Sequence, residues 1–301
     1  MSSTVSSRRV LLVSFLVDVF DVVSNLVVAL LTGSAVVFAA MAQGLADSSG
    51  AALLVIGERR SRRPPDSRHP FGYGREAFFW GLLSAVAMLV IGAGLSAWRG
   101  YQQLVNPEPL AAPWLAMAIV AVAILTNGYS AHLSGRKLRA EHGAIVDAFR
   151  AMDQPLVKSA LLRNAIGTFA SIAGLIALLL YHAFDYVLFD ALGALVAALM
   201  MTAAALTLMA QARALITGRS LPKAAIRRLH RTVLDTAGVS GVNHIAAVYA
   251  GTSEILVDAD LDLAEELDTG QIEALLDLVE CRIRDDLPDV EHVRIMLDSP
   301  P

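Results

Sequence analysis

The sequence predicts an all-α, six-helix transmembrane bundle followed by a small α+β domain with elements in the order αββαβ. Three observations carry this. Hydrophobic residues make up 55% of the 301 residues and the mean hydropathy is +0.56, well above a soluble globular domain. The apolar residues fall into six runs of about 20, the length that crosses a bilayer as a helix. Beyond Gly218 these continuous runs give way to short alternating ones. We place the boundary there, with 1–215 as the membrane domain and 216–301 as the tail domain.

The runs are Val10–Leu31, Ala35–Ile56, Phe78–Trp98, Pro113–Leu133, Leu156–Leu180 and Phe184–Met209. The first is too long for the apolar core of a signal peptide, contains Asp18 and Asp21 and lacks a convincing small-residue cleavage site, so it reads as the first helix. Orientation follows from the basic residues. Arg59, Arg60, Arg62, Arg63, Arg68 and Arg75 crowd the connector after the second run, and Arg136, Lys137, Arg139, Arg150 and Lys158 the one after the fourth. Segments 102–113 and 181–185 hold no Lys or Arg. With Arg8 and Arg9 before the first run and Arg213, Arg219, Lys223, Arg227 and Arg228 after the last, both termini are expected in the cytoplasm.

In the tail, Leu221–Thr236 has helical spacing, Val242–Tyr249 and Glu254–Leu263 read as strands around a turn at Gly251, Asp268–Asp286 is an amphipathic helix and Val290–Leu297 a last strand. Both helices are expected on one face of the three-stranded sheet. So small a core gains from pairing with a second copy. From Thr252 to the end there are fifteen Asp or Glu against three Arg, which argues against a nucleic-acid partner. The single cysteine, Cys281, excludes a disulfide within the chain and a cysteine-cluster metal site.

Asp18, Asp21, Asn25, Gln43, Asp47, Arg163 and Asn164 fall inside the apolar runs. A charge in hydrocarbon costs about 3 kcal/mol or more, so such residues face the bundle interior and mark an ion or substrate path. Gln43 and Asp47 are four apart and share a helix face, as two oxygen ligands from one helix would. Asp18 and Asn25 stand two turns apart with Asp21 between them. For any one of these residues an interhelical hydrogen bond, or an ion pair with Arg163, is the competing reading. His132 and His182, at span ends, read as interfacial residues. Gly92, Ala93 and Gly94, and Gly167 with Ser171, read as close-packing faces. His230, His244, His292 and Asp298 have no ligand spacing and read as solvated surface. Asp258, Asp260 and Asp262 alternate along one strand and put their carboxylates on one face. No nucleophile, base and orienter occur together, so no enzyme is expected.

Several segments carry a family resemblance: Thr32-Gly33-Ser34, Ala46-Asp47, the stretch Ser61 to Glu76 with its His69-Pro70-Phe71-Gly72-Tyr73-Gly74-Arg75 core, Asn106-Pro107-Glu108-Pro109, Phe189-Asp190-Ala191-Leu192 and Gly238-Val239. Together they resemble the cation diffusion facilitator family, in the branch related to animal zinc transporter nine. The resemblance runs from about Val10 to the end. It implies both ends in the cytoplasm, a ferredoxin-like tail that forms a homodimer, and export of Zn²⁺ or another divalent cation in exchange for protons.

It also implies a transport site of two ligands four apart on the second helix and two on the fifth. These fall on Gln43 and Asp47, and on Asn164 and Thr168, so one carboxylate remains of four positions. Zn²⁺ prefers nitrogen, sulfur and carboxylate ligands, whereas hard ions such as Mg²⁺ accept amide and hydroxyl oxygens. The cargo is therefore left open among Zn²⁺, Mn²⁺, Fe²⁺, Co²⁺, Cd²⁺ and Mg²⁺, with no prosthetic group. Asp18, Asp21 and Asn25 are auxiliary candidates, and Arg163 adds a positive charge. The family's loop metal site resembles Asp66 and His69, with Tyr73 where its partner His would stand; a plain turn is the alternative. The expected protein is a proton-coupled divalent-cation exporter in a bacterial inner membrane. A transport-incompetent relative with a structural or regulatory role is the alternative.

Overall fold

The structure, a computed structural model, describes residues 7–142, 155–252, 254–264 and 267–297, without the side chains of 7–18, 127, 129–142 and 155–164. Six helical passages come first: α1 (Ser7–Thr32), α2 (Ala35–Ser61), a third passage made of α3 (Glu76–Ala87), a π segment (Met88–Gly94) and α4 (Leu95–Val105), then α5 (Pro113–His142), α6 (Pro155–Phe184) and α7 (Leu188–Ile216). Among the described residues four passages are long and apolar enough to cross a membrane: Ala35–Ser61, Glu76–Val105, Ala165–Phe184 and Leu188–Ile216. Shorter apolar stretches, Val19–Thr32 and Pro113–Thr126, lie in α1 and α5. The tail follows as α8 (Lys223–Leu234), β1 (Val239–Tyr249), β2 (Ile255–Leu263), α9 (Thr269–Asp286) and β3 (Val290–Leu297). The predicted fold class and the αββαβ order are what the chain adopts.

The chain forms two compact units. One holds Met1–Ile56 and Trp80–Gln211; the other holds Gly57–Phe79 and Ala212–Pro301, so the arginine-rich connector belongs to the same unit as the tail.

Small residues let the helices of the first unit approach closely. One buried cluster joins Ala35 and Ala39 of α2, Ala85 and Met88 of the third passage, Ala170 of α6 and Ala194, Ala197, Met201 and Ala204 of α7. A second joins Val28 of α1, Val36 and Val37 of α2, Val120 of α5 and Leu178 of α6. Large apolar residues point outward: Leu30 is 75% exposed and Leu199 69%. In water that surface would be prohibitive; against lipid tails it is the expected boundary.

In the tail β2 is central, antiparallel to β1 and parallel to β3, so β2, α9 and β3 form a parallel crossover. Val257, Ala259 and Leu261 alternate into a core with Leu229 and Val233 of α8 and Leu275, Val279 and Ile283 of α9. Asp268 begins α9 with a capping box: its carboxylate accepts from Gln271 N at 2.8 Å, and Gln271 Oε1 accepts from Asp268 N at 3.0 Å. Gly238, at φ +101°, supplies the left-handed turn from α8 into β1. β1 starts three residues earlier than its alternation suggests, because register shifts around Gly241 break the period of two.

Candidate transport site and connector turn

α2 carries both of its predicted ligands on one face, and Gln43 and Asp47 are each half-buried. The Gln43 amide lies against α6 at Gly167. A Cβ placed on Gly167 would come within 2.7 Å of Gln43 Nε2, so only glycine admits the amide there. Thr168, the next residue, is half-buried. Ser171 Oγ donates to Gly167 O at 3.0 Å, which uses that hydroxyl within its own helix. α2 and α6 therefore meet at the level of Gln43 and Gly167. The predicted small-residue face at Gly167 serves as a seat for a polar side chain.

α1 packs on α2 one residue further along. A Cβ on Gly44 would lie 3.0 Å from Val22 Cγ2 and 3.6 Å from Asp21 Oδ2, which brings an acidic side chain beside Gln43's neighbour. Asn25 is buried, and its Nδ2 donates to Asp21 O at 2.8 Å. On the other side of α2, Ala46 faces the π segment, where a Cβ on Gly92 would lie 3.3 Å from Ala46 Cβ and 3.0 Å from Met201 Sδ. Ser96 Oγ donates to Gly92 O at 2.6 Å within that widened turn. π turns recur at functional sites, and this one stands beside the residue preceding Asp47. The side chains of Asp18, Arg163 and Asn164 lie outside the described residues.

One group that the sequence marked only as a motif has a clear task. Asp190, at the start of α7, is fully buried and caps the start of α2. It accepts from Ser34 Oγ at 2.6 Å, Ala35 N at 2.7 Å and Val36 N at 3.2 Å, satisfying N–H groups a helix start leaves open. Arg99 Nη2 donates to Gly33 O at 2.8 Å, and Gly33 takes φ +72°. The Thr32-Gly33-Ser34 and Phe189-Asp190 motifs are thus two halves of one joint.

In the connector, Asp66 Oδ1 accepts from the N–H groups of Arg68 and His69, each at 2.8 Å, and Oδ2 accepts from Tyr73 OH at 2.7 Å. The Tyr73 hydroxyl and the His69 N–H hold the Asp66 carboxyl below its ordinary pKa, and the same bond raises that of Tyr73. The His69 ring stacks on Tyr73 with centroids 4.0 Å apart, and its Nδ1 is 3.7 Å from Asp66 Oδ1. His182 is exposed at the end of α6. Among the described residues no three His, Cys, Asp or Glu side chains converge to hold a metal ion. Asp262 accepts from Asn243 Nδ2 at 3.0 Å across the β1–β2 pair.

Among the described residues, helical passages long and apolar enough to cross a membrane, a Gln43 amide seated on α6 at Gly167 and a following αββαβ domain define a multi-pass membrane protein. Residues 11–216 match the cation efflux transmembrane domain and residues 221–299 the cation efflux protein, cytoplasmic domain. The chain belongs to the cation efflux family, the cation diffusion facilitators. It is 26% identical over 259 residues to the proton-coupled zinc antiporter SLC30A9, mitochondrial, of Xenopus laevis, covering 84% of this chain and 46% of that protein. The human protein of the same name matches at 26% over 236 residues, 77% of this chain and 41% of the relative. The zinc transporter ZitB of Pectobacterium atrosepticum is 29% identical over 123 residues, 40% of this chain and 37% of its own length. The chain thus spans under half the length of these relatives.

Proposed function

We propose that this protein exports a divalent metal cation across a membrane in exchange for protons, binding the ion between α2 and α6. The observation that carries the reading is the seating of the Gln43 amide on Gly167, which turns the Gln43 and Asp47 face of α2 toward the helix bearing Asn164 and Thr168. Family membership and the similarity to proteins named as zinc antiporters and transporters support it.

In this reading Asp47 supplies the formal negative charge, and Gln43, Asn164 and Thr168 supply neutral oxygens. A proton on the Asp47 carboxylate cancels that charge and weakens the hold on the dication, so one side chain serves both cargo and counter-ion. Asp21, beside Gly44, adds negative potential near the path. Zn²⁺ is the leading cargo by similarity, although an oxygen-rich set with one carboxylate also suits harder ions. Asp66 and His69 are read as a turn and not as a second metal site, because Asp66 already accepts three hydrogen bonds. The protein is placed in a bacterial inner membrane with both termini in the cytoplasm, as a homodimer joined through 216–301, with 1–215 as the membrane domain. Its activity is transport and not catalysis.

The test is flux in proteoliposomes under an imposed pH gradient, screening Zn²⁺, Mn²⁺, Fe²⁺, Co²⁺, Cd²⁺ and Mg²⁺. Uptake of one ion that Asp47→Ala abolishes is the expected result. Folded, dimeric protein that moves none of them would instead favour a structural or regulatory role, in keeping with the three neutral positions of the site.

A further inference from the structure

The connector between α2 and α3 carries more positive charge than it neutralises. Against six arginines, residues 57–79 hold Glu58, Asp66 and Glu76, which leaves a net +3 with His69 neutral. Glu58 is committed to Arg62 at 2.6 Å and Glu76 lies 4.0 Å from Arg60. Asp66 is occupied by its turn. Arg68 and Arg75 are exposed, and neither forms an ion pair among the described residues.

Arg68 and Arg75 both line a cavity of about 600 Å³ within the unit that holds the connector and the tail, as does Glu76, the neighbour of Arg60. Its apolar wall includes Phe71, Phe79, Ile216 and Leu256. Phe71 is held edge-on to His292, with ring centroids 5.7 Å apart and planes at 77°, so the wall is braced although Phe71 is 63% exposed. Phe79 lies in the first turn of one membrane passage and Ile216 is the last residue of another. Both helices read as spans, so the cavity is expected at the membrane surface, where it pairs exposed arginines with exposed aromatic surface. That pairing suits a molecule with an anionic head and an apolar body.

We propose that this cavity binds an anionic phospholipid, its phosphate between Arg68 and Arg75 and its glycerol and upper acyl segments over Phe71, Phe79, Ile216 and Leu256. A free phosphate would use the arginines but leave the apolar wall wet. A zwitterionic lipid would bring a second, positive charge to a pocket that is already basic. The proposal stands apart from the ion path and is tested without transport.

The experiment is native mass spectrometry of the full chain released from mild detergent, counting retained phosphatidylglycerol and phosphatidylcholine. The unmodified chain is expected to retain phosphatidylglycerol selectively, and the double variant Arg68→Gln/Arg75→Gln to retain it roughly ten-fold less. Arg231→Gln, an exposed tail arginine away from the cavity, should retain it fully. Phe71→Ala, at an exposed position, should also lose lipid; if the double variant does not fold, this variant decides. Equal retention of both lipids, or undiminished phosphatidylglycerol on the variants, overturns the proposal. Displacement of the lipid by millimolar inorganic phosphate would overturn it in favour of a small-anion site.

Discussion

Glu254, in the turn between β1 and β2, lies with its carboxylate against the backbone of Gly74 and Gly251, close enough that neither position would admit a Cβ. Burial, and then the nearby Glu291, raise its pKa above the ordinary 4.5, while His292 opposes the shift. The folded chain thus holds this proton more tightly than the unfolded one. As pH rises from 4.5 toward the raised value the unfolded state ionises first, so stability falls across that interval and the penalty persists above it. Glu254→Gln is expected to melt at a higher temperature than the unmodified chain at neutral pH, with the difference vanishing below pH 4.5. A gain that is equal at both pH values would mean that charge is not the cause. Asp66 shows the opposite case. Its carboxylate is held by three donors, and the motif that looked equally like a ligand or a turn was ambiguous because Asp serves both; only the positions of the Arg68 and His69 N–H groups distinguish them.

Among the helices, tight fit is concentrated where α2, α6 and α7 cross. A Cβ on Gly193 would come within 2.6 Å of both Ala177 Cβ and Val36 Cγ2, and one on Gly174 within 2.8 Å of Val36 Cγ1, so Val36 is wedged between two glycines. Gly193→Ala should cost about 1–3 kcal/mol through overpacking. Gly81→Ala meets only Leu54 Cδ2 at 4.0 Å and should be neutral or gain up to about 1 kcal/mol from helix propensity. Thermal melting of the two variants in one detergent checks this; equal melting points would show that the junction relaxes. Element positions were legible because lipid imposes a length and water imposes alternation: the six runs coincide with the six passages to within a few residues, apart from longer polar ends. The π segment was not legible. Met88–Gly94 reads as ordinary apolar helix, and its widened turn accompanies close packing at Gly92, Ala46 and Met201, which are distant in sequence. The joint between Ser34 and Asp190 was hidden for the same reason, its partners being 156 residues apart.

For the molecule as a whole, charge asymmetry predicts cytoplasmic termini, and the chain carries its own reporter for a test. Cys281 is the only cysteine and is exposed on α9. A membrane-impermeant maleimide should label the full chain in inside-out vesicles and leave it unlabelled in right-side-out ones. The reverse pattern would invert the topology. At this scale the candidate site was half readable. The α2 pair announced itself as polar residues in an apolar run, whereas the approach of Gln43 to Gly167 depends on how α2 and α6 pack, which no local pattern encodes.

The capped joint at the start of α2 sets a lever. Asp190 grips Ser34, Ala35 and Val36, Arg99 grips Gly33, and Ala111 N donates to Thr32 O, so that end of the helix is pinned by neighbours on three sides. At about 1.5 Å of rise per residue, Asp47 lies about 18 Å from the pin and Ile56 about 32 Å. A tilt of about 10° about that fulcrum carries Asp47 through about 3 Å and Ile56 through about 6 Å, while the pinned end stays in place. Small rotations are thereby amplified along the helix, and the end that bears the arginine-rich connector has the longest stroke.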